Sequence, residues 1–299
     1  MQSIPDWLLL WKELVEAQAR RHKPAAADAT PDVWHARART YHEAVQQRWS
    51  QPDSSREFIA ADLHEHPGET VLDIGAGTGA WTVFLAQVAR QVTAVDPSPA
   101  MLRLLRENVA EAALTNVTIV EGGWPEVVVA PHDVIFCSHA LYGVADFAMA
   151  VQRMAAVARR RCYLLLRIVT PDSVMAQAAQ HILGQPHDSP NFQVAYNALA
   201  QMGIFANVLL EDSGLWKPWT HDSLEDALDD VKRRFSLVND ATHDAFLRDL
   251  LARYLTEVDG QWVWPRSTRS ALVYWDVGDI RNEPQSSSSN NAPGSKGIT

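Results

Sequence analysis

Two features of the chain predict an α/β fold. From Val71 onward short apolar runs alternate with segments of helical spacing, and the first run, Val71-Leu72-Asp73-Ile74, passes directly into a glycine-rich turn, Gly75-Ala76-Gly77-Thr78-Gly79. Apolar strand runs separated by helices are the mark of strands buried on both faces, because crossover helices cover a parallel sheet on each side. The expected architecture is Rossmann-like: a mainly parallel seven-stranded sheet with helices on both faces, an N-terminal helical cap and an insertion after the fifth strand. Ligands of such sheets sit beyond the carboxyl ends of the strands.

Residues 1–66 are assigned to the cap. Ile4, Leu8, Leu9, Trp11, Leu14 and Val15 predict an amphipathic helix over 4–22. After a small-residue break, Asp32 can cap a second helix reaching Trp49, in which Trp34, Ala38, Tyr41 and Val45 recur at helical spacing. Asp53 or Ser54 opens a third helix through about His64. These helices either cover the mouth of the following domain or simply pack on it. The main domain is expected over 67–280, with strands at 71–74, 91–95, 117–120, 134–137, 162–169, 205–210 and 270–275. Helices are expected at 78–88, 99–112, 147–158, 194–203, 224–235 and 243–254. Pro171 to Phe192, with Gly184, Pro186 and Pro190, reads as a loop. Segments 170–200 and 213–265 are candidate substrate-facing elements, and the Ser/Asn-rich stretch 283–299 reads as a disordered tail.

Composition narrows the function. With 26 Lys and Arg against 36 Asp and Glu, the formal charge of -10 makes nucleic acid an unlikely partner. Cys137 and Cys162, the only cysteines, lie in apolar runs and are expected as buried reduced thiols. No secretory signal and no run long enough to span a bilayer is visible, so no membrane partner and a cytoplasmic address are expected. Most of the 11 tryptophans are expected in the core. No Cys/His/acid spacing supports a metal, and P-loop and G-x-S-x-G motifs are absent.

Asp73 alters the ligand expected of the glycine turn. Such a loop leading into a helix ordinarily cradles phosphate with backbone N–H groups, which a neighbouring carboxylate opposes. The acid argues instead for a nucleoside carrying an amino group and positive charge. Gly75, Gly77 and Ala80, with Asp96 ending the next strand, also satisfy a weaker dinucleotide pattern that taken alone permits NAD. Asp73 is the discriminator, since it can hold an α-amino group directly or through water.

The run Asp73-Ile74-Gly75-Ala76-Gly77-Thr78-Gly79 resembles the first motif of the class I S-adenosylmethionine-dependent methyltransferases, an acid, an apolar residue and G-x-G-x-G. The resemblance extends over roughly residues 67–170 and more weakly to 276. It implies S-adenosyl-L-methionine as cofactor and methyl transfer as activity. Asp96 is then expected to accept both ribose hydroxyls, the alternative being to cap the helix entered through Pro97-Ser98-Pro99. Gly75, Ala76 and Gly77 would allow close approach of the methionyl part and ribose, while Gly79 lets the helix start near the sheet. Pro97 and Met101 are candidate cofactor contacts, Met101 with a core role as its alternative. In the turn Glu121-Gly122-Gly123-Trp124, Gly123 stands where the family commonly has an acid for the adenine amino group. Recognition of adenine there would fall to backbone at Gly122 and Gly123 or to Glu121, and Trp124 is either an aromatic wall for the base or a packing residue.

After the fourth strand, Ser138-His139-Ala140-Leu141-Tyr142 occupies the expected catalytic mouth. Ser138 is a candidate cofactor contact. His139 can orient an acceptor or take its proton, cap a helix, or bond the cofactor carboxylate. Tyr142 can close over the methyl donor or pack. An oxygen or sulfur acceptor can need a base, whereas an unprotonated amine can do without one. The segment departs wholly from the Asn/Asp-Pro-Pro-aromatic motif of the family's N-methyltransferases for DNA bases and protein glutamine, which points to a small-molecule methyl acceptor. Candidate substrate-binding residues are Tyr41, Arg167, Trp216 and Trp219, with Lys217 available to an anion. RNA or protein methylation, and a non-catalytic S-adenosylmethionine-binding protein, are the competing readings. Either a monomer or a homodimer fits the cap.

Overall fold

The computed structural model describes residues 5–21, 32, 34, 38–211, 217–266 and 269–280. The expected tail at 283–299 lies outside the described residues. Helices α1 (Trp7–Arg21), α2 (Ala38–Trp49) and α3 (Ser54–Glu65) precede strand β1 (Thr70–Ile74). Then follow α4 (Ala80–Val88), β2 (Gln91–Asp96), α5 (Pro99–Glu111), β3 (Val117–Glu121), β4 (His132–Ser138), α6 (Phe147–Val157) and β5 (Ala158–Ile168). The chain continues through α7 (Val174–Leu183), α8 (Phe192–Gln201), β6 (Asn207–Leu210), β7 (Thr220–His221), α9 (Leu224–Arg234) and α10 (Asp244–Tyr254). It ends with β8 (Thr256–Val258), β9 (Gln261–Val263), β10 (Arg269–Asp276) and α11 (Val277–Ile280).

The main sheet has seven strands in the order β3-β2-β1-β4-β5-β10-β6. Strands β1 to β5 pair in parallel, and β10 runs antiparallel between β5 and β6. The order reverses between β1 and β4, which opens a crevice at the carboxyl ends of those strands. One face is covered by the core containing Trp11, Phe147, Met154, Val194 and Leu199 from α1, α6 and α8. The other is covered by Ile59, Leu63, Trp81 and Leu85 from α3 and α4. Both cysteines are buried and free, inside β4 and β5.

At the amino edge of β5, Asp62 of α3 accepts from the guanidiniums of Arg160 and Arg161 and from the Tyr163 hydroxyl, while Arg161 also reaches Asp276. These charge-assisted bonds tie the third helix to two strands far from the crevice.

Asp32 accepts the Trp34 N–H at 3.0 Å ahead of α2, and also accepts from Ser98 Oγ at 2.7 Å and Ala100 N–H at 3.2 Å, adding to the start of α5. Two sequence expectations need correction. The stretch expected as a loop after β5 contains α7, capped by Ser173 and closed by Gly184 in the left-handed region. Its alanine-rich core face, Ala176, Ala178 and Ala179, carried little apolar contrast. A second, three-stranded sheet of order β7-β9-β8 was not anticipated, because its strands are only two or three residues long. Helices α7, α9 and α10 share a separate core with Trp264 that includes Val174, Leu228, Leu247 and Leu251. Segments 170–200 and 213–265 thus contribute to one accessory core.

Candidate functional site

The crevice is built from the glycine turn outward. Strand β1 is buried along its whole length and delivers Asp73 beneath the turn with 1% exposure. Gly75, Gly77 and Gly79 hold φ of 68°, 56° and 86°, a region hostile to side chains. A Cβ on Gly75 would lie 2.1 Å from Ala140 Cβ, and one on Gly79 would lie 2.8 Å from the Leu105 side chain. The turn is therefore locked against β4 and α5 by contacts that leave no room for a methyl group.

Two carboxylates flank this turn. Asp73 accepts the Thr82 hydroxyl at 2.6 Å, and its pKa is raised from 3.8 to about 7 by burial, with the Thr82 bond opposing and the Asp96 charge adding. Asp96, also buried at the end of β2, accepts Gly77 N–H and Ser98 N–H, each at 2.9 Å. Burial raises its pKa too, while those two N–H bonds pull it down. A crevice with two desolvated acids beside it favours cationic and hydroxyl-bearing ligands over phosphate.

Helix α2 lies over the turn. Tyr41 stands 4.0 Å from the position of a Gly77 Cβ, and His42 Nδ1 is 3.1 Å from Thr78 Oγ1. Asn108 of α5 donates to the Thr78 carbonyl at 2.7 Å from the other side. Farther along α2, Arg48 forms two bonds to Glu211 at 2.8 and 3.0 Å and approaches Asp53 within 3.5 Å, all three side chains being buried. The cleft beneath is lined by Tyr41, Arg48, Trp49, Asp73, Thr78 and Trp81, together with Gly75, Ala76, Gly77, Ser138 and His139.

At the end of β4, His139 adopts a left-handed backbone (φ 54°), and its N–H donates to the Leu165 carbonyl. The Tyr142 hydroxyl accepts the Arg167 N–H at 2.7 Å and lies 2.9 Å from His139 Nδ1, while His139 Nε2 lies 3.4 Å from Ser270 Oγ, the donor in each of these two pairs being set by the imidazole tautomer. Burial, reinforced by the Arg48 and Arg167 charges, pushes the His139 pKa down to about 3, and burial pushes Tyr142 up to about 12. The imidazole is a neutral hydrogen-bonding group in this arrangement.

The structure gathers Asp73, Gly75, Ala76, Gly77, Asp96, Ser138, His139, Tyr142 and Tyr41 around one crevice, with Arg167 at its β5 side. Gly122 N–H donates to the Asp96 carbonyl at 3.1 Å, which places the Gly122-Gly123 turn beside the same edge. Met101 is buried with Ala38, Ala100 and Leu104, and Pro97 is exposed. Trp124 is buried in the main core, where its indole N–H donates to the Ala150 carbonyl at 3.1 Å; of its two readings, packing is the one with visible contacts. Trp219 is 46% exposed, edge-on to Trp264 in the small sheet, and does not line the crevice. Trp216 lies outside the described residues. A larger groove of about 520 Å³ runs between α7 and α10, lined by Pro171, Gln177, His181 and Phe246, and includes none of the glycine-turn residues.

Sequence reasoning missed Arg48, Thr82, Trp49, Trp81 and Glu211. Thr82 was within reach of inference, since it lies one turn into the helix that follows the glycine loop. Arg48 and Glu211 are 163 residues apart, and nothing local announces their pairing. Among the described residues no group of three or more His, Cys, Asp or Glu is placed to hold a metal ion, and no helix is long and apolar enough to cross a membrane.

Residues 71–161, spanning the glycine turn, both acids and β4, match the family model for a methyltransferase domain. Over those residues, less than half of its length, the chain is similar to methyltransferase domains. Over 102 residues it is 32% identical to a cobalt-precorrin-6B C(15)-methyltransferase (decarboxylating) of Salmonella typhimurium, a match covering 32% of this chain and 53% of that protein. The match spans about half the length of that relative. An uncharacterized protein of Haemophilus influenzae is 26% identical over 237 residues, covering 77% of this chain and 84% of the other. A solved structure of a candidate methyltransferase from Bacillus halodurans superposes with a TM-score of 0.50 at 16% identity, covering 73% of this chain and 98% of that one, and supports the fold.

The crevice has the geometry to take a nucleoside that carries a cationic amino group. Asp73 is a buried carboxylate lacking a cationic partner among the hydrogen bonds and ion pairs of the described residues, and the glycine turn beside it has no space for side-chain carbon.

Proposed function

We propose that this chain transfers the methyl group of S-adenosylmethionine to a small-molecule acceptor and releases S-adenosylhomocysteine. The observation that carries the reading is the pair of buried acids, Asp73 and Asp96, on either side of a turn held open by positive-φ glycines. Asp73 would hold the α-amino end of the donor, and Asp96 would accept the ribose hydroxyls while keeping Gly77 in place. Bound there, the donor supplies an electrophilic sulfonium methyl with its own leaving group.

The protein's task is then alignment and exclusion of water. Helix α2, fastened by His42 to Thr78 and by Arg48 to Glu211, would serve as the cover, so residues 1–66 act as a cap in this reading. Tyr142 and His139 form the wall at the end of β4. The acidic net charge of -10 weighs against RNA as acceptor.

Calorimetry against S-adenosylhomocysteine and NAD tests the donor: S-adenosylhomocysteine should bind and NAD should not. Labelled methyl groups from S-adenosylmethionine should then appear in the small-molecule fraction of a cell extract. Label recovered only in protein or RNA would overturn the acceptor class.

A further inference from the structure

We propose that Thr82, in the first turn of α4, is a positioning residue for the cationic amino group of the methyl donor: its hydroxyl holds one oxygen of Asp73, favours the carboxylate charge and leaves the other oxygen for the ligand. The proposal rests on the donor reading above and deepens it, since it assigns the strength of that site to a residue that need not touch the donor.

The geometry is a buried pair with one polar link. Thr82 is fully buried and Asp73 is 1% exposed. Thr82 Oγ1 donates to Asp73 Oδ2 at 2.6 Å, a length typical of a hydroxyl bonded to an ionised carboxylate. Asp73 Oδ1 has no hydrogen-bond partner among the described residues, and Asp73 lines the crevice with Gly75, Gly77 and His139. Helix α4 has no acid in its first turn, and Gly79 before it has no side chain to cap it. Through Thr82 the Asp73 carboxylate is held beside that turn, where the helix dipole favours negative charge.

Burial and charge work against the acid. Desolvation disfavours its ionised form and Asp96 adds a like charge, while the Thr82 bond opposes both, so the pKa stands at about 7. The other titratable or charged groups facing it are Cys137 in β4, His139 just beyond that strand, and Tyr41 and Arg48 of α2. Of all these neighbours, Thr82 is the one that hydrogen-bonds the carboxylate. Whether Asp73 is charged at neutral pH therefore turns on one hydroxyl. As an ammonium group arrives, a carboxyl still protonated gives its proton to solvent and an ion pair forms. Without the hydroxyl the same ion pair can form, but the proton is harder to release.

The test is calorimetry of S-adenosylhomocysteine binding to the full chain between about pH 6.5 and 9.5. Thr82→Val keeps the side-chain shape and removes the hydroxyl. A hydrogen bond to a charged group shifts the ionisation constant by about one to two decades, so the variant should bind about five- to fiftyfold more weakly at about pH 7 and within about twofold at about pH 9.5. Ionisation of the ligand's own amino group affects both proteins alike. At about pH 8, titrations in two buffers of different ionisation enthalpy should show the variant releasing about 0.4–0.8 proton more on binding than the unsubstituted protein. Thr82→Ser should restore both behaviours. If Thr82→Val does not fold, Thr82→Ala carries the same two readouts. A loss of affinity that is constant across the pH range, or equal proton release, marks a packing role and overturns the assignment of Thr82 while leaving the donor reading intact. An unsubstituted protein that fails to bind S-adenosylhomocysteine at every pH overturns the donor reading and this assignment with it.

Discussion

Replacing Asp73 by Asn isolates the buried acid under the glycine turn. In the ligand-free protein its pKa is raised from 3.8 to about 7, chiefly by burial. A carboxyl with a raised folded-state pKa contributes fully to stability below its unfolded value, and that contribution is lost as pH rises through the folded value. At about 1.4 kcal/mol per decade of the ionisation constant, the loss amounts to about 4 kcal/mol, spread between roughly pH 4 and pH 7. Asn keeps an oxygen for the Thr82 hydroxyl but cannot ionise, so its stability lacks this dependence. Between pH 4.5 and 7.5 the ligand-free variant should gain about 3 kcal/mol relative to the unsubstituted protein, on the order of 6 °C in relative Tm for a chain of this size. Thermal denaturation of both proteins across that window measures it. S-adenosylhomocysteine should reverse the preference, because its cationic amino group compensates the ionised acid: affinity should rise with pH toward 7 in the unsubstituted protein and stay flat and weaker in Asp73→Asn. Parallel pH profiles of stability for the two ligand-free proteins would refute the reasoning.

Asp96→Asn removes the charge that holds Gly77 and Ser98 N–H, and calorimetry should show S-adenosylhomocysteine binding weakened roughly ten- to a hundredfold. Arg48→Met leaves Glu211 buried beside Asp53 without its main partner, so urea denaturation should report a loss of about 3–5 kcal/mol, while Arg48→Met combined with Glu211→Leu should recover much of it. Gly79→Ala forces a side chain into φ 86° and against Leu105, for which about 1–3 kcal/mol of destabilisation is expected in the same assay. Gly184→Ala, where a Cβ would meet nothing within 4 Å, should cost only the strain of its φ of 74°, about 1 kcal/mol.

The main sheet and the donor end were legible because their signals are local. Each strand from β1 to β5 contains a short, largely apolar run, and Asp73, the glycines and Asp96 sit within 24 residues joined by one βαβ unit, so spacing alone brings them together. The acceptor end was not legible to the same degree. Arg167 and His139 were visible as polar endings of strands, but the hydrogen-bond chain that joins them depends on Tyr142 meeting the Arg167 backbone across 25 residues. Helix α7 escaped notice because alanines pack as well as leucines where helices approach closely, yet give a weak pattern.

By itself, the sequence determined the α/β class and the placing of Asp73 and Asp96 on either side of the glycine turn, since both follow from residue order within short windows. Tertiary structure alone decided the buried Arg48–Glu211 clasp over the crevice, the desolvation of His139 and the meeting of the Arg167 and Arg234 guanidiniums at Ser189. Those depend on desolvation and on partners distant in the chain. The energy of a charge is set by what surrounds it, which residue order alone does not specify.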